Sequence, residues 1–256
     1  MSKSSKIIWT IALVILVVLI GMVAFGYFQK LTVKDQKPIA TMEVENFGTI
    51  KMELYPDIAP ESVANFITLA NRGFYDGLTF HRIVKDFMIQ GGDQKGDGTG
   101  SAKLSNLRDL KEGENDEEYT IKGEFLLNKV ENKLKMTEGV LAMARSNSYD
   151  SASSQFFIVT KDTASLNGSY AGFGKVIEGM DIVHKIEEVE VKAKDNSGEN
   201  AEVSTPVNTV KITSIRVETN GIDYGMPNTI APQHASDYSS LYEQMGIDPS
   251  TIVTNE

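Results

Sequence analysis

Apolar and polar side chains alternate one for one from Thr41 to Glu45, and again where Ile50, Met52 and Leu54 interleave with Lys51 and Glu53. Asn46-Phe47-Gly48 between them reads as a turn, so the pair is predicted to be a hairpin with one buried face. The period then changes. Val63, Phe66, Ile67 and Ala70 fall on one helical stripe, Pro60 is suited to its first turn, and Gly73 to a left-handed end. Short strand-like runs follow at Leu78–Val84, Phe87–Gln90, Val140–Ala144, Gln155–Thr160 and Gly172–Val176. A second helix fits Met180–Ile186, and Val210–Val217 reads as a closing strand. Many short strands and two helices predict a mainly β domain, an antiparallel sheet or barrel capped by helices. No internal repeat is visible.

Outside this rhythm lies the uncharged run 7–28, IIWTIALVILVVLIGMVAFGYF. As a helix it is about 33 Å long at about 1.5 Å per residue, enough for a bilayer core of about 30 Å. A cleaved export signal is the competing reading. Its apolar part is usually only about 7–15 residues, and Ala24-Phe25-Gly26 is a weak cleavage site, so an uncleaved single-pass anchor is favoured. Trp9, Tyr27 and Phe28 stand near the ends, where rings prefer the interface. Lys3 and Lys6 before the run nearly balance Lys30 and Lys34 after it. The short basic start resembles that of an export signal, which puts the N-terminus inside and the bulk outside the cell membrane.

The expected organisation is a basic tail (1–6), a transmembrane helix (7–28), a linker (29–37), a folded domain (38–218) and a partly mobile tail outside the core (219–256). Two stretches look added to the strand pattern: a charged insertion over about 104–134, containing RDLKEGENDEE, and a solvated loop over 191–206.

Composition removes several chemistries. The 256 residues hold 25 Lys and Arg against 35 Asp and Glu, a net charge of -10, which is unsuited to gripping a nucleic-acid backbone. Cysteine is absent, and the three histidines, His81, His184 and His234, are far apart, so thiolate sites, cysteine nucleophiles and histidine-rich metal centres are not expected. Gly91–Gly100 is rich in glycine but lacks the Gly-Lys-Ser/Thr of a phosphate loop and the closing Glu of a calcium loop; it reads as a turn. No G-x-S-x-G nucleophile elbow accompanies Ser153 and Ser154. No metal or cofactor is expected.

Arg82 is the anomaly, a cation inside an apolar strand. It must reach an exit or a partner, because a buried lone cation is costly. Either it faces a ligand or it forms a structural ion pair. Strand parity adds a second clue. Met88 and Gln90 point together, as do Gln155 and Phe157, each pair opposite its apolar neighbours Ile89, Phe156 and Ile158.

The segment FHRIVKDFMIQGGD (80–93) closely resembles the signature of the cyclophilin family. LAMA (141–144) with QFFI (155–158), and LNG (166–168) with FGKV (173–176), match that family's later blocks in order and rough spacing. The resemblance covers about residues 38–218. It implies an eight-stranded antiparallel barrel capped by two helices, and peptidyl-prolyl cis-trans isomerase activity on proline-containing polypeptides without any cofactor. By the same resemblance, Arg82 and Gln90 are the catalytic pair. Phe87, Met88, Phe157 and Leu166 form the proline pocket, Ala144 and Arg145 line the groove where backbone groups can pair with the peptide, and His81, Gln155 and Tyr170 sit at the rim. Three positions depart from the best-known members. Arg145 stands for Asn, Tyr170 for His, and Ser165 for the Trp of cyclosporin-sensitive members, which makes cyclosporin binding doubtful. A module that binds proline peptides or holds unfolded chains without turnover is the alternative of a different class.

Overall fold

The computed structural model describes residue 9, residues 13–24, residue 26, residues 37–193 and residues 202–231. Residues 13–24 are helical and exposed. No helix among the described residues is long and apolar enough to cross a membrane, and the ends of the expected span over 7–28 lie outside those residues.

The domain is one curled, eight-stranded antiparallel sheet. Its strands are β1 (Ile39–Val44), β2 (Gly48–Leu54), β3 (Thr79–Val84), β4 (Met88–Asp93), β6 (Val140–Met143), β7 (Phe156–Val159), β8 (Gly172–Glu178) and β11 (Ile212–Glu218). They run in the order β11-β1-β2-β8-β6-β7-β4-β3. The barrel closes between its first and last members, where Phe80 N–H donates to the Val210 carbonyl (2.9 Å) and Ile212 N–H to that of Leu78 (2.8 Å). The hairpin forms as its alternation predicts. Ala40, Met42, Ile50, Met52 and Leu54 are all fully buried, and Asn46, a residue that tolerates left-handed backbone, turns the chain at φ 64°.

Helix α1 (Pro60–Asn71) places Phe66 among Tyr75, Phe156 and Phe173 at ring-centroid distances of 5.2–5.6 Å. Its first turn has no local side-chain cap. The buried Glu124 fills that role from a distance, accepting from Glu61 N (3.0 Å), Ser62 N (2.8 Å) and Ser62 Oγ (2.6 Å). Desolvation raises its pKa above the ordinary carboxylate value despite those bonds.

Glu124 belongs to the stretch set apart as a charged insertion, and that reading needs revision. The charged residues occupy an exposed turn, but Leu107, Tyr119, Ile121 and Phe125 are buried in the main core. Tyr119 OH also donates to Asn65 Oδ1 of α1 (2.6 Å). The stretch contributes the short helix α2 (Leu104–Leu107) and strand β5 (Thr120–Ile121). The start of the tail likewise departs from expectation. Strand β12 (Thr229–Ile230) pairs with β5, Pro227 is buried, Tyr224 packs against the core, and Asn228 donates twice to Glu61 (2.6 Å each). The rest of the tail, with the Tyr238–Met245 pattern, lies outside the described residues. So does the centre of the 191–206 stretch, whose flanks form a ribbon of β9 (Val191–Ala193) and β10 (Val203–Pro206).

Helix α3 (Met180–Glu187) packs against β2, β3 and β4 through its buried Val183 and Ile186. Its Glu187 Oε2 accepts from Asp86 N (3.1 Å), which pins the β3–β4 turn just before Phe87. Glu187 Oε1 meets His184 Nδ1 at 2.5 Å, and Glu138 meets His184 Nε2 at 3.1 Å. These carboxylates, Glu187 first, raise the His184 pKa above 6.5. A raised folded-state value makes the contribution to stability full below about pH 6.5 and lost as pH climbs through it. Wild type should therefore outlast His184→Ala in thermal melts near pH 5.5, and the gap should close on the alkaline side. The side chain is 41% exposed, so solvent screening keeps the effect below about 1 kcal/mol. A gap that widens with pH would exclude this account.

Candidate active site

The outer face of the barrel carries its own apolar cluster. Residues at alternate positions divide cleanly. Ile89, Leu141, Phe156 and Ile158 join the inner core, whereas Met88, Val140, Ala142, Phe157 and Val159 form a second, outer cluster. Phe87, Ala144, Leu166 and Tyr170 pack around it, half-buried.

Register aligns the polar members. Arg82 pairs with Gln90, Gln90 with Phe157, and Phe157 with Ala142, giving one lateral row over β3, β4, β7 and β6. A β-bulge between Phe80 and Arg82 makes this possible. Strict alternation would send Arg82 to the side of Phe80. The extra residue lets both Phe80 and Ile83 enter the core while Arg82 turns outward.

A notch of about 130 Å³ opens there, walled by Arg82, Phe87, Met88, Gln90, Ala144, Arg145, Phe157, Leu166 and Tyr170. Phe157 lies beneath Tyr170 in an edge-on ring contact (5.5 Å, 89°). A larger polar groove of about 720 Å³ runs beside it, sharing Gln90, Ala144 and Arg145 and adding Lys95, Gln155 and several serines.

Hydrogen bonds join the two cavities in one direction. Arg82 Nη1 donates to Gln90 Oε1 (3.3 Å), Gln90 Nε2 to Gln155 Oε1 (2.9 Å), and Gln155 Nε2 to the carbonyls of Gly100 (2.9 Å) and Gly98 (3.1 Å). The glycine-rich turn is thus an anchor for the relay. Buried Asp93 shapes it by accepting from the N–H groups of Lys95, Asp97 and Gly98 (2.6–2.9 Å). Gln90 therefore ties the notch to the groove.

Arg82 answers the sequence question in both ways at once. Its Nε and Nη2 donate to the two carboxylate oxygens of Glu202 (2.7 Å each), while Nη1 faces Gln90 and, at 3.6 Å, Met88 Sδ. The Phe87 ring lies 5.9 Å from the guanidinium carbon. The pair is not entombed, since the side chains are 33% and 49% exposed. The guanidinium bond holds the Glu202 carboxyl below its ordinary pKa.

Of the expected site residues, nine line the notch. Gln155 lies in the adjoining groove. His81 does not sit at the rim; it is buried, because the bulge gives the outward position to its neighbour, and it lines neither cavity. Ala144 lines both cavities, but its N–H is committed to the Gln155 carbonyl (2.9 Å). Arg145 is caged by rings, 4.7 Å from Tyr170, 5.1 Å from Phe125 and 5.4 Å from Tyr149, and donates to the carbonyls of Ser169 and Ser146. Glu202 and the Gly98 and Gly100 carbonyls were not anticipated. No group of three or more His, Asp or Glu among the described residues is placed to hold a metal ion.

Comparison with known proteins gives the same answer. Residues 39–217 match the family described as cyclophilin type peptidyl-prolyl cis-trans isomerase/CLD. A peptidyl-prolyl cis-trans isomerase of Acinetobacter baylyi is 38% identical over 178 residues, covering 68% of this chain and 82% of the relative. Peptidyl-prolyl cis-trans isomerase B of Bacillus subtilis is 42% identical over 138 residues, 54% of this chain and 82% of the relative. A crystal structure of a Cryptosporidium parvum cyclophilin type isomerase, in the presence of the dipeptide Ala-Pro, superimposes with a TM-score of 0.56 at 26% identity, covering 70% of this chain and 98% of that one. The match over residues 39–217, and relatives 38% and 42% identical that are covered to 82% of their length, make this chain a member of the cyclophilin family and a peptidyl-prolyl cis-trans isomerase.

Proposed function

We propose that Arg82 is the catalytic donor of this isomerase and that the notch beside it seats the client's proline ring. The prolyl amide resists rotation by about 18–20 kcal/mol because the nitrogen lone pair is delocalised into the carbonyl. In the twisted state that lone pair is freed on a pyramidal nitrogen. A fixed N–H near it stabilises the twisted form more than either planar form, and only such a difference raises the rate. Arginine suits the task because it stays charged and offers several donors. A barrier lower by about 5–7 kcal/mol gives roughly four to five powers of ten.

The observation that carries this reading is the orientation of Arg82, whose Nη1 corner is turned to Gln90 and Met88 at the mouth of an apolar notch. Phe87, Met88, Phe157 and Leu166 supply contact to the ring, Tyr170 supports Phe157, and Gln90 orients the guanidinium. Ser165 sits exposed in the turn Ala164–Leu166 and offers no indole to a bound cyclosporin, so weak inhibition by that drug belongs to the same reading. Exchange spectroscopy on an Ala-Pro peptide tests the activity. Line broadening between cis and trans signals is expected, and binding without faster exchange would leave only a peptide-holding module.

The proposal extends to location. The uncharged run 7–28 supports a single-pass anchor, and the basic residues before it support an isomerase domain outside the cytoplasm, acting on exported chains as they fold. Protease added to intact cells should remove the domain while leaving cytoplasmic markers untouched. Full protection would overturn this placement.

A further inference from the structure

Glu202 stands 120 residues beyond Arg82, immediately before β10. Its carboxylate takes the whole Nε/Nη2 edge of the guanidinium, at 2.7 Å on both sides. The carboxylate is itself secured. The buried Ser204 side chain, two residues on, adds to the arginine in holding that carboxyl below its ordinary pKa, and β10 packs along β3, the strand that carries Arg82. Glu202 is not among the residues that wall the notch. The clasp therefore grips the arginine from behind and leaves the Nη1 corner turned to the mouth.

Two effects of such a carboxylate oppose one another. It partly neutralises the guanidinium, which weakens the field over the site. It also fixes the plane of a side chain that otherwise samples many rotamers, in the two-point geometry that only a planar fork allows. The reacting group here is a neutral amide, so the long-range field matters little to it. A short hydrogen bond to its nitrogen depends steeply on placement, and a misplacement of about 1 Å can cost a hundredfold in rate. Placement wins on that comparison.

We propose that Glu202 is a positioning residue of the active site, holding Arg82 edge-on so that Nη1 meets the rotating amide. This rests on Arg82 being the donor. It gives the ribbon β9–β10 a task in the reaction.

Steady-state exchange kinetics on the full chain test it. Glu202→Ala should lower kcat about tenfold and leave KM within about twofold. Glu202→Gln should recover part of the loss, because its amide oxygen still accepts from Nε. In an Arg82→Lys background, Glu202→Ala should change the rate less than about twofold, since an ammonium cannot be held by a fork. Melting temperatures should stay level throughout, and Glu188→Gln, which removes an exposed carboxylate paired with Lys85 at 2.6 Å, should leave activity unchanged. A Glu202→Ala rate equal to or above wild type overturns the proposal, as does an undiminished loss in the lysine background. If Arg82→Ala abolishes activity while Glu202→Ala does not, the donor reading stands and only the role of Glu202 falls. If Arg82→Ala retains activity, both fall.

Discussion

Arg82→Ala is expected to lower kcat/KM for Xaa-Pro peptides by about 10²–10³-fold, the usual cost of deleting one preorganised donor aimed at charge that develops in a transition state. Most of the loss should appear in kcat, because a donor used chiefly in the twisted state contributes little to ground-state binding. Stability should barely change. The side chain is one-third exposed, its partner Glu202 is about half exposed, and a freed carboxylate at such a site is rehydrated. Arg82→Lys should recover little. A lysine keeps the charge, but one ammonium cannot reach Gln90 on one side and present a fork to Glu202 on the other. Coupled-assay or exchange kinetics, alongside a thermal melt, separate the two effects. A variant that keeps more than about a third of the wild-type rate, against the loss expected for a lost donor, would mean that the notch alone drives rotation by desolvation and strain.

Much of this arrangement was legible because side-chain periodicity is a local property. The hairpin, both main helices and the opposite facing of Phe156 and Phe157 follow from positions two or four apart. The bulge at Phe80–Arg82 is not local in that sense. It depends on which residue of β4 stands opposite, and it is what buries His81 and exposes Arg82. The stretch 104–134 misleads for another reason. Its charges cluster in one exposed turn, while the anchors Leu107, Tyr119, Ile121 and Phe125 are too unevenly spaced to hold one period, strand or helix. Glu124 and Glu202 are the extreme cases. Each is a single carboxylate, and each gains its meaning from a partner at least 62 residues away, Ser62 for one and Arg82 for the other. Long-range pairing of single polar groups leaves no pattern along a chain.

Phe156→Ala is expected to cost about 3–5 kcal/mol of folding stability, a large share of the roughly 5–15 kcal/mol that holds a domain together. The ring is fully buried and meets Phe66 at 5.6 Å, Tyr75 at 5.5 Å and Phe80 at 6.3 Å, each edge-on. Removing it leaves a void under three aromatic neighbours that the surrounding strands cannot close, because β7 is hydrogen-bonded on both sides. Phe157, the next residue, reaches the other face and floors the notch beneath Tyr170. Its truncation should raise KM, with a smaller loss of stability, because the hole it leaves opens into a cavity already present. The two alanine variants therefore form a crossed test of the strand's two faces, read by denaturant midpoint and by kinetics on protein kept below its unfolding transition. Phe156→Ala should lower the midpoint and, where folded, bind substrate as before. Phe157→Ala should do the reverse in proportion. If both changes fell equally on stability and on KM, the outer cluster would be an extension of the core, and the notch would lose its claim to be a separate binding surface.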